Sequence, residues 1–227
     1  MVSPGMGDDL TLRVDGGRAL TAASIRELDA LCDRADAAVQ PDGREPGLVT
    51  VHVTGVPPAG WTEDLTVGLV TKWERAVRRF ERLGRLTTAV VYDDCAGPAL
   101  DVLLAADVRI ATPEARLLLP TGHDATWPGM AVHRLAQQAG AAGIRRAVLL
   151  GTPITASRGL ALGLLDEVRE DTSAALAALA ETSRALAAPE IAIRRRLILD
   201  AVSTGFEEAL GAHLAAADRF LRREAAP

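Results

Sequence analysis

The stretch from Leu86 to Val168 constrains the fold more than any other part of this chain. It opens with LTTAVVYDDCAGPALDVLLAADVRIA (86–111), continues through LLLPTGHDATWPGM (117–130) and closes with LLGTPITASRGLALGLLDEV (149–168). Physically this is a buried strand, a turn broken by glycine and proline, a helix start, a second strand and then capped helices. Strands that alternate with helices in this way predict an α/β fold.

The flanking regions extend the same reading. Leu10-Thr11-Leu12-Arg13-Val14 alternates apolar and polar residues as a half-buried strand does. Thr21 then caps a helix in which Ile25, Leu28, Leu31 or Cys32, Ala35 and Val39 recur at helical spacing. A Pro/Gly-rich loop (41–47) feeds a second strand, Leu48 to Val53, and turn residues return at Gly55-Val56-Pro57-Pro58-Ala59-Gly60. A long helix is expected from Asp64 to Leu83. Leu65, Leu69, Trp73, Val77 and Phe80 form its apolar face, and Lys72, Glu74 and the arginines point elsewhere, as a solvated face or an oligomer rim. The last third reads as three helices, 172–187, 189–202 and 206–223, punctuated by Pro189 and Gly205.

Composition narrows the classes. With 227 residues, 48% of them hydrophobic and 24% charged, the chain can bury the core of one ordinary globular domain. A net charge of −5 argues against a nucleic-acid surface, which needs clustered excess base. No apolar run approaches the roughly 18 residues that span a bilayer, and the first ten residues lack the pattern of a secretory signal. Cys32 and Cys95 stand far apart without metal spacing, so a reduced, cytoplasmic location is expected, with both thiols in the core. No Ser-His-Asp order, metal cluster or phosphate-cradling loop presents itself.

The ordered run 86–168 resembles the crotonase (enoyl-CoA hydratase/isomerase) superfamily. That resemblance implies a ββα spiral core, here residues 1–170, followed by a C-terminal helical region, 171–227, that mediates trimers or hexamers. It also implies acyl-CoA thioester chemistry without a resident cofactor. In the family two backbone N–H groups hold the thioester oxygen as it becomes enolate-like, and one such donor lost costs roughly 100- to 1000-fold. Two glutamates act as general acid and base in its hydratases.

Aligning the strand Asp107 to Ala111 on the family pattern places the glycine triplet of the helix start at Gly97-Pro98-Ala99 and its first glutamate at Asp101. The donor position is then Pro98, which has no N–H. Pro120 and Pro128-Gly129 carry the next landmark and put Thr121 where the second glutamate belongs. The other oxyanion donor falls near Ala59-Gly60-Trp61. Asp101 reads either as a shortened acid/base or as a helix cap. His123 and Asp124 read as replacement acid/base groups or as solvated loop residues, and Asp93 and Asp94 as turn formers or as carboxylates aimed at the pocket. Trp127 reads as a pocket wall or as simple packing. The lysine-bearing helix that covers CoA in many crotonases is expected to be shortened or absent here.

More narrowly, PALDVLLAADVRIATPEARLLLP, ATWPGMA and FEEALGAHLAAADRFLRR resemble the accessory crotonases of 3,5-dihydroxyphenylglycine biosynthesis. Those act beside a type III polyketide synthase that builds a tetraketide from malonyl-CoA. Two roles follow from that resemblance. One is a dehydratase-type lyase on a polyketide-derived CoA thioester. The other is a catalytically degenerate subunit that binds the synthase, or an intact crotonase paralogue, and stimulates it.

Overall fold

In the computed structural model, residues 10–37, 48–122, 124–184, 186 and 188–225 are described. The chain runs β1 (Thr11–Asp15), α1 (Ala22–Ala37), β2 (Leu48–Gly55), α2 (Val67–Glu81), β3 (Leu86–Cys95), α3 (Pro98–Ala105), β4 (Val108–Ala111) and β5 (Arg116–Leu117). It continues with α4 (Met130–Leu150), β6 (Ile154–Thr155), α5 (Ala156–Ala161), β7 (Glu167–Val168), α6 (Thr172–Arg184), α7 (Ala188–Ala201) and α8 (Phe206–Glu224). The α/β class and the helical C-terminal third stand as the sequence reads them. Val39 and the Pro/Gly-rich loop (41–47) lie outside the described residues.

The sheet follows the order β1-β2-β3-β4-β7, every neighbour parallel, while β5 leaves β3 to pair antiparallel with β6. Parallel neighbours need helical crossovers, and α1, α2 and α3 supply them. Val49, Val51 and Val53 alternate along β2 and are fully buried, with Leu28, Leu31, Val77, Phe80, Leu100 and Leu103 in the same core. Small aliphatic side chains fill most of this space, so the layers can lie close.

Local chemistry explains the boundaries. Thr21 caps α1, its hydroxyl accepting from the amides of Ala23 and Ser24 at 3.2 and 3.4 Å. Thr66 caps α2 by accepting from the amide of Leu69 at 3.1 Å, so this helix starts at Val67 instead of Asp64. Residues 92–94 are a further difference. Asp93 and Asp94 extend β3 instead of turning it, and Arg116 grips Asp94 through two contacts of 2.6 Å. The arginines of α2 are not all solvated. Arg79 reaches across to Asp33 and Asp36 of α1 at 2.7 and 3.0 Å and ties the two helices together.

The C-terminal helices attach differently from the core. Among the described residues of α7 Arg195 alone is buried, and its guanidinium reaches the chain at the starts of β3 and β4. Glu190 of α7 gathers Arg194, Arg219 and Arg223, which lays α8 along α7. Phe206, Leu210, Leu214, Phe220 and Leu221 of α8 remain exposed.

Candidate active site

At the end of β3 the chain turns through Gly97 into α3. Gly97 has φ 57° and ψ −131°, and a Cβ there would lie 2.8 Å from the Pro57 ring. Only glycine fits both the dihedral and the space. Pro98 follows as the first helical residue, where its fixed φ suits the helix and its missing N–H leaves no intrahelical bond unmade. Pro57 packs across from Gly97, so the residue nearest the junction on that side and the one that follows Gly97 in the chain both lack an amide N–H. Gly60 is exposed, and the Trp61 amide is spent on the carbonyl of Pro58 at 3.2 Å.

Beside the junction lies a cavity of about 30 Å³, lined by Trp61, Trp73, Glu74, Gly97, Pro98 and Asp101 together with Pro120, Trp127 and several aliphatic side chains. This is room for a water molecule or two. Trp61 and Trp127 meet edge to face above it, with ring centroids 5.2 Å apart and planes at 78°. Trp127 folds back over Gly129, where a Cβ would sit 2.4 Å from the indole nitrogen, so glycine at 129 is what lets the ring lie there.

Leu65, Val70, Glu74 and Trp127 also line a much larger groove of about 1140 Å³ between α2, α4 and the end of α7. These four side chains form a common wall between the small cavity and a space wide enough for an organic ligand.

Asp101 is the polar floor of the inner cavity. Its side chain is 14% exposed, and the Trp73 indole N–H donates to Oδ2 at 2.9 Å. Burial, reinforced by the neighbouring Glu74 carboxylate, pushes its pKa up to about 7, against the opposing pull of the Trp73 hydrogen bond and of Arg134. A carboxyl in that range exchanges a proton readily near neutral pH.

Arg134 of α4 is 6% exposed and stands among three carboxylates. Its Nη2 lies 3.0 Å from Glu74, its Nε 3.7 Å from Glu81, and its Nη1 4.0 Å from Asp101 Oδ1. Among the described residues, Nη1 is the one buried side-chain polar atom without a hydrogen-bond partner.

Gly97, Pro98, Asp101, Trp61 and Trp127 are therefore brought to one cavity. Ala99 is buried away from it, toward Gly16, and Gly60 does not reach it. Thr121 bridges Thr126 in an exposed turn with its methyl toward Gly151, and Asp124 is exposed. His123 lies outside the described residues. Sequence reading passed over Trp73, Glu74 and Arg134 as site residues. Arg134 did carry a signal, because it falls beside Ala131 and Leu135 in the buried period of α4, where a lone charge needs partners.

The raised pKa of Asp101 has a consequence for stability. The folded value lies above the ordinary 3.8, so this carboxyl's contribution is full below pH 4 and is lost as pH rises through about 7. Asp101→Asn keeps the acceptor for Trp73 and cannot ionise. It is expected to melt several degrees above the wild type at pH 8, with the gap closing near pH 4. Half of the shift is about 2 kcal/mol, at roughly 2–4 °C per kcal/mol for this chain length. Melting curves at the two pH values check this, and equal gaps at both would refute it.

No family model matches the chain. Its architecture, a parallel sheet with crossover helices and a helical C-terminal third, is that of solved crotonase-like proteins. An enoyl-CoA hydratase/isomerase from Marinobacter aquaeolei superposes with a TM-score of 0.77 over 96% of this chain and 89% of that one, at 18% identity. An enoyl-CoA hydratase/isomerase family protein from Silicibacter pomeroyi gives 0.78 over 96% and 97%, at 17% identity. A curated protein of Amycolatopsis orientalis named enoyl-CoA-hydratase is 66% identical over 220 residues, 97% of this chain and 99% of that one. The chain belongs to the enoyl-CoA hydratase/isomerase (crotonase) family.

Proposed function

We propose that the protein is a dehydratase-type crotonase that helps convert a polyketide-derived CoA thioester to 3,5-dihydroxyphenylacetyl-CoA, as an accessory protein of dihydroxyphenylglycine biosynthesis. The observation that carries this reading is Asp101, a carboxyl with a pKa near 7 in a cavity that shares Leu65, Val70, Glu74 and Trp127 with a ligand-sized groove. In that position it gives its proton to a departing hydroxyl as the carbon–oxygen bond breaks, and the hydroxyl leaves as water.

The prolines at 57 and 98 fit such a substrate. A simple acyl thioester needs amide donors to stabilise its enolate. A methylene between two carbonyls in a polyketide spreads the same charge over its own oxygens, and formation of an aromatic ring supplies the driving force. The relative named enoyl-CoA-hydratase and the sequence resemblance support the same chemistry.

The test is reconstitution of a type III synthase with malonyl-CoA and this protein, scoring the aromatic product. Asp101→Asn and Asp101→Ala are expected to lower product formation by about 100-fold or more. Undiminished stimulation by both variants would refute the catalytic role.

A second reading draws on the small cavity and the open apolar face of α8, which suit a binding subunit that stimulates the synthase or a crotonase paralogue without chemistry. It requires a complex detectable by sedimentation and stimulation that saturates only at stoichiometric amounts. Saturation at a small fraction of the synthase concentration would eliminate it. The exposed apolar residues of α7 and α8 also support a homo-oligomer of the trimeric or hexameric kind.

A further inference from the structure

An elimination needs two proton-handling groups, one to release a proton to the leaving hydroxyl and one to take the α-proton. The position that supplies the second in the family is Thr121, which lies in an exposed turn and does not line the inner cavity. Glu74 does. It comes from the middle of α2, one residue after Trp73, and lines both the inner cavity and the outer groove.

We propose that Glu74 is the second carboxylate of the site, taking the α-proton at the mouth of the cavity while Asp101 releases one at its floor.

Several features of the site place it in that role. Glu74 is 19% exposed in its side chain, enough to meet a ligand in the groove it lines together with Trp127 and Val70. Arg134 holds it at 3.0 Å, so its carboxylate is oriented instead of free to swing. The same guanidinium points Nη1 at Asp101 from 4.0 Å, still without a partner, so one cation is shared by both carboxylates. Asp101 and Glu74 therefore differ in surroundings as an acid and a base must: one is buried under an indole N–H, the other ion-paired at the opening.

The step balances within the two groups. Glu74 takes the proton as the Cα–H bond breaks, and the electron pair forms the Cα=Cβ bond. The Cβ–O bond breaks toward oxygen, which leaves as water with the Asp101 proton. Glu74 ends protonated and Asp101 ionised, and one proton passed from Glu74 through solvent to Asp101 resets the pair. Arg134 is a positioning residue in this scheme.

The proposal rests on the catalytic reading above, and the same reconstituted synthase reaction with malonyl-CoA separates their failures. Glu74→Gln is expected to lower kcat by about 100-fold or more, with the half-saturating concentration of the protein unchanged. Glu74→Asp keeps the ion pair with Arg134 and withdraws the carboxylate by one methylene, so a loss of about 10-fold or more is expected in a protein that folds normally. Glu81→Gln removes the 3.7 Å contact to Arg134 but leaves the 3.0 Å pair between Arg134 and Glu74, so its loss of activity is expected to be much smaller than that of Glu74→Gln.

Activity of Glu74→Gln near the wild-type level, with Asp101→Asn inactive, overturns the role of Glu74 and leaves the dehydratase reading standing. Equal losses in Glu74→Gln and Glu81→Gln overturn it too, by assigning the effect to Arg134. Full activity in Glu74→Asp does the same should the glutamine variant fail to fold. Full activity in Glu74→Gln and Asp101→Asn together removes the dehydratase reading itself.

Discussion

Replacing Arg195 by leucine is expected to lower the unfolding free energy by about 3–5 kcal/mol, the range measured when one partner of a buried pair is removed. Arg195 is 8% exposed and is the residue through which α7 enters the core. Its guanidinium reaches both oxygens of Asp107 at 2.5 Å and the carbonyl of Arg85 at 2.6 Å, and also donates to the carbonyl of Leu83. Asp107 in turn accepts from the amide and hydroxyl of Thr87, both at 2.8 Å.

Leucine would leave a mostly buried carboxylate and two buried carbonyls short of donors, which costs more than the lost pair itself was contributing. Arg196, on the same helix with 84% of its side chain exposed, pairs only with Asp200 at 3.4 Å, so Arg196→Leu is expected to change stability by less than about 1 kcal/mol. Urea unfolding of the two variants decides it. A loss below 1 kcal/mol for Arg195→Leu would mean that α7 is held by something other than this arginine.

The second large effect runs toward gain. Pro98 is the first residue of α3, and the amide of a residue at that position has no intrahelical acceptor. Pro98→Gly would place a free N–H at the junction beside Asp101 and remove a ring from the cavity wall. One restored donor is expected to raise hydration of crotonyl-CoA by about 100-fold over a very slow wild type. It would also cost up to about 1 kcal/mol of stability through the freer unfolded chain. Product formation followed by absorbance of the conjugated thioester checks the rate, with a thermal melt to confirm folding. Brisk turnover of crotonyl-CoA by the wild type, or no gain in the variant, would show that the proline is not what limits thioester chemistry here.

Much of the architecture was legible because its causes are local. Alternation in β2, the apolar period of α1, the cap at Thr21 and the Pro98 helix start all act within a few residues. Where reading went astray, a distant partner was responsible. Asp93 and Asp94 look like turn residues, yet they continue β3, and Arg116 lies beside the second of them. Glu74 looks like one more solvated charge on α2 until Arg134, sixty residues later, is packed against it. The docking of α7 left no apolar stripe to find, because an arginine does the anchoring.

The absence of amide donors at 57, 58 and 98 is a covalent property of proline, so the sequence decides it whatever the fold. The convergence of α2, α3 and α4 on one small cavity is another matter. Trp73, Glu74, Asp101 and Arg134 meet through packing between elements far apart in the chain, and the raised pKa of Asp101 comes from burial that exists only once those helices have closed together.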